Sequence, residues 1–394
     1  MTELMIIADD FTGALDAGVH FAERGIGTRV IVSLDHDRSW EEGIRSGETT
    51  VLVIDAETRH VSPDQAYRKV FAIAKDAREA GIPYIYKKTD SALRGNIGSE
   101  LEAAYRAAGE PFLSFVPALP QMNRITRGGR QYIDGVPVSK SVFGRDPFEP
   151  VTKDLVKDII RLQSEIPVIE THGEAQPGPG QAGIVVYDAT TEADIRRIGA
   201  DLTVTGQNRL MAGCAGFAAI LPDLLGLKRQ EPETAALERR LFVICGSVNP
   251  ITRRQLDWGE RVGYPRIYMA AEEKLNPEFW KSEQGAGLTR RLTQESSEND
   301  CVILDTNDRE GERNTLEYAR ELGMDTGQVR SRIPETLGII LKNMLDCGLH
   351  AVILMTGGDT LLGFMKEIRQ WELQPIRQIR PGCVLTKLYY CGRE

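Results

Sequence analysis

Two hydrophobic rhythms alternate along this chain: short β-branched runs of strand length, and longer amphipathic stretches between them. Residues 5–8, 28–33, 50–54, 83–86, 111–116 and 183–187 are apolar enough to read as buried strands. Residues 64–80 and 98–108 carry the helical pattern. That alternation predicts βα units around a mostly parallel sheet. A charged stretch, LKRQEPETAALERR at 227–240, then has the composition of a linker between domains. After it the rhythm restarts at 241–245, 266–269, 301–304, 351–355 and 384–390. The expected class is therefore α/β, with two α/β domains whose mostly parallel sheets face across a cleft. Residues 1–228 would form the first domain, 229–240 the linker and 241–394 the second. The Gly- and Pro-rich run at 173–180 predicts an exposed, mobile loop.

Bulk properties narrow the function without naming it. A length of 394 residues is too great for one ordinary core, in keeping with two domains. The net charge of −9 argues against nucleic acid or an anionic membrane as the main partner. No apolar run approaches the roughly 20 residues of a membrane helix, and no basic region opens the chain as in a signal peptide. The six cysteines are scattered without a CxxC pair, and the five histidines without HExxH spacing. These features predict a cytoplasmic protein with reduced thiols and no dedicated His/Cys metal site.

Polar residues gather where predicted strands give way to helices, the edge at which α/β sheets bind ligands. The first run ends in two adjacent carboxylates, Asp9 and Asp10, and the helix after them carries a third, Asp16. Like charges that close need a cation, a donor or a substrate hydroxyl between them; alternatively, one of them simply caps the helix. A second cluster, Lys87-Lys88-Thr89-Asp90-Ser91-Ala92-Leu93-Arg94-Gly95-Asn96, follows the strand at 83–86. It reads as an anion site, because Arg94 can grip a carboxylate through two bonds. Together the clusters suit a small hydroxy acid. A third strand runs into Pro117-Ala118-Leu119-Pro120-Gln121-Met122-Asn123-Arg124 and on to Arg130, with three arginines in seven residues. Arg124 could meet an anionic substrate or lie free on the surface. Asp134-Gly135 beyond it predicts a tight hairpin.

In the second half, Cys245-Gly246-Ser247-Val248-Asn249-Pro250 and Thr356-Gly357-Gly358-Asp359-Thr360 are glycine turns between strand and helix. Such turns let backbone N–H groups approach a phosphate. Neither is a Walker A loop or a GxGxxG fingerprint, which argues against a dinucleotide-dependent hydride-transfer enzyme. The adjacent spacing of Asp9 and Asp10 likewise lacks the DxD of an HAD-type phosphatase.

These segments, in this order, resemble the four-carbon acid sugar kinase family: IADDFTGALDAG (7–18), KKTDSALRGNIG (87–98), VPALPQMNR (116–124), YIDGVPV (132–138), DP (146–147), GSVNPITRRQ (246–255) and TGGDT (356–360). The resemblance implies an acid-sugar domain followed by an ATP domain, and transfer of the γ-phosphoryl group to the terminal hydroxyl of threonate, erythronate or 3-oxo-tetronate. By motif, Asp9, Asp10, Lys88, Asp90, Ser91, Arg94, Asn96 and Arg124 would line the sugar site. Gly246, Ser247, Thr356, Gly357, Gly358, Asp359 and Thr360 would line the ATP site. Arg94, helped by Lys88, would hold the substrate carboxylate, and Asp10, or else Asp9, would accept the hydroxyl proton. Mg²⁺ would accompany ATP, Asp359 would orient ribose, water or metal, and a homodimer is the default assembly. The sequence ends at Tyr389-Tyr390-Cys391-Gly392-Arg393-Glu394, short of the glycine-rich KSGGFG-like segment that completes the family's nucleotide pocket. The alternative is accordingly a non-catalytic acid-sugar sensor with a degenerate ATP site.

Overall fold

A computed structural model describes residues 1–33, 40–47, 49–146, 149–171, 181–380 and 382–392. The predicted mobile loop at 173–180 and Pro147 lie outside the described residues. The strands are β1 (Leu4–Ala8), β2 (Thr28–Val32), β3 (Val51–Asp55), β4 (Tyr84–Lys88), β5 (Phe112–Val116), β6 (Arg124–Arg127), β7 (Arg130–Ile133), β8 (Val136–Pro137), β9 (Val168–Thr171), β10 (Gly183–Tyr187), β11 (Leu210–Gly213), β12 (Leu241–Cys245), β13 (Arg266–Tyr268), β14 (Cys301–Asp305), β15 (Val352–Thr356), β16 (Glu372–Arg380) and β17 (Cys383–Lys387).

The first sheet has the order β17-β16-β2-β3-β1-β4-β11-β5-β10-β9. Every pairing from β2 to β9 is parallel. Its middle strands are mostly apolar up to the polar groups at their carboxyl ends, as expected of a parallel sheet covered by helices, and Leu4 to Ala8 are fully buried. The helix Pro63–Glu79 shows how the sequence builds that cover. Ser62 and Gln65 form a capping box, Pro63 begins the first turn, and Ala66, Val70, Ile73, Ala74 and Ala77 fall on one buried face. Burying Val70 and Ile73 there contributes roughly 1.5–3 kcal/mol each. From β1 the chain moves first to one side, through β2 to β3, and then to the other, at β4. That reversal makes the carboxyl end of β1 a topological switch point, where such sheets bind ligands.

A small antiparallel sheet, β6-β7-β8, lies in the same unit. Asp134 and Gly135 join β7 to β8 with φ of 48° and 81°, the two positive values that a two-residue type I′ turn requires.

The second sheet, β13-β14-β12-β15, is parallel throughout, and the chain again reverses direction at its switch strand, here β12. The polypeptide divides into two compact units. One comprises Met1–Thr234 with Glu372–Leu388, and the other Ala235–Trp371 with Tyr389–Arg393. The change between Thr234 and Ala235 falls within the expected linker. Residues 372–388, which the sequence places in the second domain, instead pair with the first sheet. Strand β16 runs antiparallel to β2, matching Glu372 with Ile31 and Leu373 with Val30, and buries Leu373 and Ile376.

Candidate functional site

Three loops converge at the carboxyl edge of β1, β3 and β4. In register, Ala8 lies beside Asp55 on one side and Lys88 on the other. Asp9 and Asp10 therefore emerge next to the segment after β3 and the segment after β4. Asp10 caps helix α1 (Phe11–Ala22): its Oδ1 accepts from the Gly13 N–H at 2.9 Å. Its Oδ2 accepts from Nη1 of Arg59 at 2.6 Å. Asp9, almost fully buried, accepts from Nε and Nη2 of the same guanidinium at 2.8 and 2.7 Å. Asp90 is the third carboxylate beside Arg59, at 3.7 Å. Burial alone would raise the Asp9 carboxyl, but Arg59, Lys87 and Lys88 outweigh it and hold it below its ordinary value. Asp90 is treated the same way by Arg59 and Arg94, and lies well below the usual carboxylate range.

The sequence reading did not single out Arg59. The signal was present, because Arg59 follows the end of β3 at the same sheet edge that drew attention to the other two clusters. Its backbone N–H and that of Thr58 donate to the Asp9 carbonyl at 3.1 and 3.0 Å, which fixes the loop against β1.

Several expected substrate ligands are taken up by the protein itself. Arg94 places Nε and Nη2 on Asp90 at 3.0 and 2.9 Å and Nη1 on Asp146 at 3.3 Å. The Asn96 amide donates to the carbonyls of Thr58 and Val61 at 2.8 and 2.9 Å and accepts from Gln163 at 3.1 Å. Asn96 thus staples the Arg59 loop to the helix Ile97–Ala108. Lys87 turns into the core against Glu100 at 2.7 Å.

Lys88 and Arg124 differ from these, since neither has an ion pair among the described residues. The Lys88 ammonium donates to the Thr89 carbonyl at 2.9 Å, and Arg124 donates to the Ser91 hydroxyl. The Arg124 and Arg94 guanidinium groups lie 5.2 and 5.0 Å from the Phe143 ring centroid. Lys88 also explains the glycine at position 13, where a Cβ would meet Lys88 Nζ at 2.7 Å and Asp10 Oδ1 at 2.6 Å. One turn further along α1 is Asp16. Burial pushes its carboxyl up to about 6, with Lys88 and Arg124 pulling down and Asp10 pushing up.

In the second unit the two glycine turns are neighbours, because Cys245 and Thr356 are in register on β12 and β15. Gly357, with φ of 97°, caps the helix Gly358–Ile368, so the first N–H groups of that helix open at the sheet edge. A Cβ on Gly246 would fall 2.2 Å from Thr360 Oγ1, so only glycine lets the two turns approach. Thr360 donates to the Thr356 carbonyl at 3.1 Å, while the Thr356 hydroxyl is buried without a partner. Asp359 pairs with Arg330 at 3.0 Å. The Ser247 hydroxyl accepts from the Asn249 N–H at 3.3 Å. A cavity of about 440 Å³ is lined by Gly246, by the polar residues Thr306, Asn307 and Asp308, and by the apolar Leu316, Val329 and Ile333. Asn307, absent from the sequence reading, donates to the Ser247 carbonyl at 3.2 Å and to Asp305 at 2.7 Å. Among the described residues no group of three His, Cys, Asp or Glu could hold a metal ion.

Each unit thus presents a polar sheet edge, one rich in paired charges and the other in backbone N–H groups, which is the division of labour of a two-domain small-molecule transferase. Family comparison agrees: residues 4–221 match a sugar-binding N-terminal domain and 242–392 a nucleotide-binding C-terminal domain. The chain belongs to the four-carbon acid sugar kinase family. It is 30% identical to a D-threonate kinase of Salmonella typhimurium, over 91% of this chain and 84% of that one. It is 28% identical to a D-erythronate kinase of Heliobacterium modesticaldum, with the same coverages. A solved Haemophilus influenzae protein superimposes with a TM-score of 0.72 at 19% identity, covering 97% of this chain and 93% of that one, a likeness of fold.

Proposed function

We propose that this chain transfers the γ-phosphoryl group of ATP to the terminal hydroxyl of a four-carbon sugar acid. The observation that supports this most is how the ion pairs are distributed at the end of β1 and β4. Arg59 and Arg94 are consumed by Asp9, Asp10, Asp90 and Asp146, whereas Lys88 and Arg124 lack a carboxylate partner among the described residues. A small anion would give these two cations a direct ion-pair partner, and a carboxylate on a polyhydroxylated chain would do so while offering hydroxyls to Asp10 and Asp16. The expected carboxylate ligand therefore moves from Arg94 to Arg124, with Lys88 kept. Arg94, Asp90 and Asn96 act by holding the loops in place.

The nucleotide belongs on the second unit. Backbone N–H groups at Gly246-Ser247 and Gly357-Gly358 would meet its phosphates, and the unpartnered Thr356 hydroxyl would gain an acceptor. Asp359 and Asp308 are each tied to a cation, Arg330 and Lys274, and among the described residues no cluster of carboxylates offers a cage for magnesium. Magnesium would come bound to the nucleotide phosphates, neutralising charge as the phosphoryl group moves.

The direct test is an ADP-release assay with Mg-ATP against D-threonate, L-threonate, D-erythronate and 3-oxo-tetronate. Turnover with one of them is the expected result. Silence with all four, in protein that still binds one acid by calorimetry, would overturn the kinase reading in favour of a sensor.

A further inference from the structure

We propose that Asp16, and not Asp10 or Asp9, accepts the proton of the acceptor hydroxyl. This rests on the kinase reading above and assigns its base. Asp10 and Asp9 are poorly placed for the task. Both oxygens of Asp10 are already hydrogen-bonded, one to the Gly13 N–H and the other to Arg59. Asp9 is 2% exposed and is gripped twice by Arg59, so its negative charge is stabilised and its affinity for a proton reduced.

Asp16 is the opposite case. It has no hydrogen-bond or ion-pair partner among the described residues, and it is not sealed off, being only partly buried. Gly13 and Asp16 are three residues apart and share a face of α1. The Lys88 ammonium sits where a side chain at Gly13 would otherwise project, so the cation proposed to hold the substrate carboxylate lies one turn from an uncommitted carboxylate. The charged groups that act on Asp16 come from three elements: Lys88 from β4, Arg124 from β6 and Asp10 from the loop before α1. One turn further on, His20 is pushed down to about 4 by burial and by Arg24, so it is uncharged at neutral pH. The Asp16 carboxyl, pushed up to about 6, is ionised at neutral pH yet basic enough to take a proton as the transition state forms.

The step balances as follows. The hydroxyl proton passes to Asp16 as the hydroxyl oxygen forms its bond to the γ-phosphorus. The bond between that phosphorus and the β,γ-bridging oxygen breaks, its electron pair leaves with ADP, and Asp16 later returns the proton to water.

The test compares wild type with Asp16→Asn, measuring ADP release across pH and acid binding by calorimetry. Expected is a kcat lower by about 10²–10⁴-fold in Asp16→Asn, with the Kd for the sugar acid within about threefold of wild type. The wild-type kcat/KM should fall below about pH 6, as Asp16 protonates, and that limb should be missing from the residual activity of the variant. Unchanged acid binding shows that the variant is folded. Should it not bind, Asp16→Glu, which keeps a carboxylate, should restore binding and part of the turnover while retaining the acid limb. Asp16→Asn turnover above about a tenth of wild type, or an acid limb that survives the substitution, overturns the assignment. A wild type that releases no ADP with any of the four acids overturns the kinase reading first.

Discussion

Arg59 sets one positive charge against Asp9, Asp10 and Asp90 at a sheet edge, where it is 8% exposed. Taking it away would strip buried Asp9 of its only direct ion-pair partner among the described residues and Asp90 of one of its two, and breaking a buried pair in this way typically costs about 3–5 kcal/mol. Arg59→Met should lower stability by that order in urea unfolding at pH 7, and the loss should shrink in acid. The sign follows from the lowered carboxyls of Asp9 and Asp90: their stabilisation is present above the unfolded pKa near 3.8 and fades as pH falls below it. Asp16 behaves in the reverse sense. Its carboxyl is raised from 3.8 to about 6, so the native state binds more protons than the unfolded state between those values. Stability therefore falls as pH rises through that window, by at most about 3 kcal/mol for a two-unit shift. Asp16→Asn should raise stability by about 1–3 kcal/mol at pH 8 and leave it nearly unchanged at pH 3.5. A residue that weakens the fold while ionised, in the place where a proton acceptor is wanted, is the usual trade between stability and activity.

At the level of elements, much of the architecture is legible in the hydrophobic pattern. Residues 183–187 and 241–245 coincide with β10 and β12, and the helix expected over 64–80 spans Pro63–Glu79. Strands buried on both faces have to be apolar, and a capped helix announces its own start. What stayed hidden depended on contacts distant in sequence. Strand β16, ELQPIRQIR, carries two arginines and a proline, which suits a strand near the sheet margin but lacks the apolar run of a central one. Of the proposed sugar site, the sequence picks out loops that the fold brings to one sheet edge, but not which groups pair with one another there. Composition shows that Arg94 and Asn96 are polar, and only the fold shows that Asp90 and the carbonyls of Thr58 and Val61 occupy them. The glycine turns of the second unit are better determined, because their reason is steric. In Gly246→Ala the new methyl meets Thr360 Oγ1, and overpacking of this kind costs about 1–3 kcal/mol. The turn should shift, raising the KM for ATP by about tenfold while calorimetric binding of the sugar acid stays as in wild type.

At the scale of the whole molecule, the chain leaves its first unit at Thr234, builds most of the second, returns at Glu372 to complete the first, and rejoins the second at Tyr389. The return strand covers β2, which would otherwise be the open edge of a large sheet. It buries Leu373 and Ile376, places the Glu372 carboxylate against Arg29, and donates the Gln378 N–H to Glu23 at 2.7 Å. The exposed ion pair adds little, but each buried side chain contributes roughly 1.5–3 kcal/mol. The second sheet owes nothing to this segment, since its last strand ends at Thr356. Ending the chain after Trp371 should therefore destabilise the amino-terminal unit by about 3–6 kcal/mol, whereas the second unit loses only its short tail from Tyr389 and the exposed Tyr390–Asp346 hydrogen bond and should stay largely intact. In calorimetry, the unfolding transition that threonate or erythronate stabilises should move to lower temperature. The transition that ATP stabilises should stay within a few degrees, at roughly the shift a 1 kcal/mol change produces. The bare β2 edge should also make the shortened protein self-associate as concentration rises. Equal loss in both transitions would mean that the segment supports the whole chain, and no loss in either would mean that β16 adds nothing to the sheet it joins.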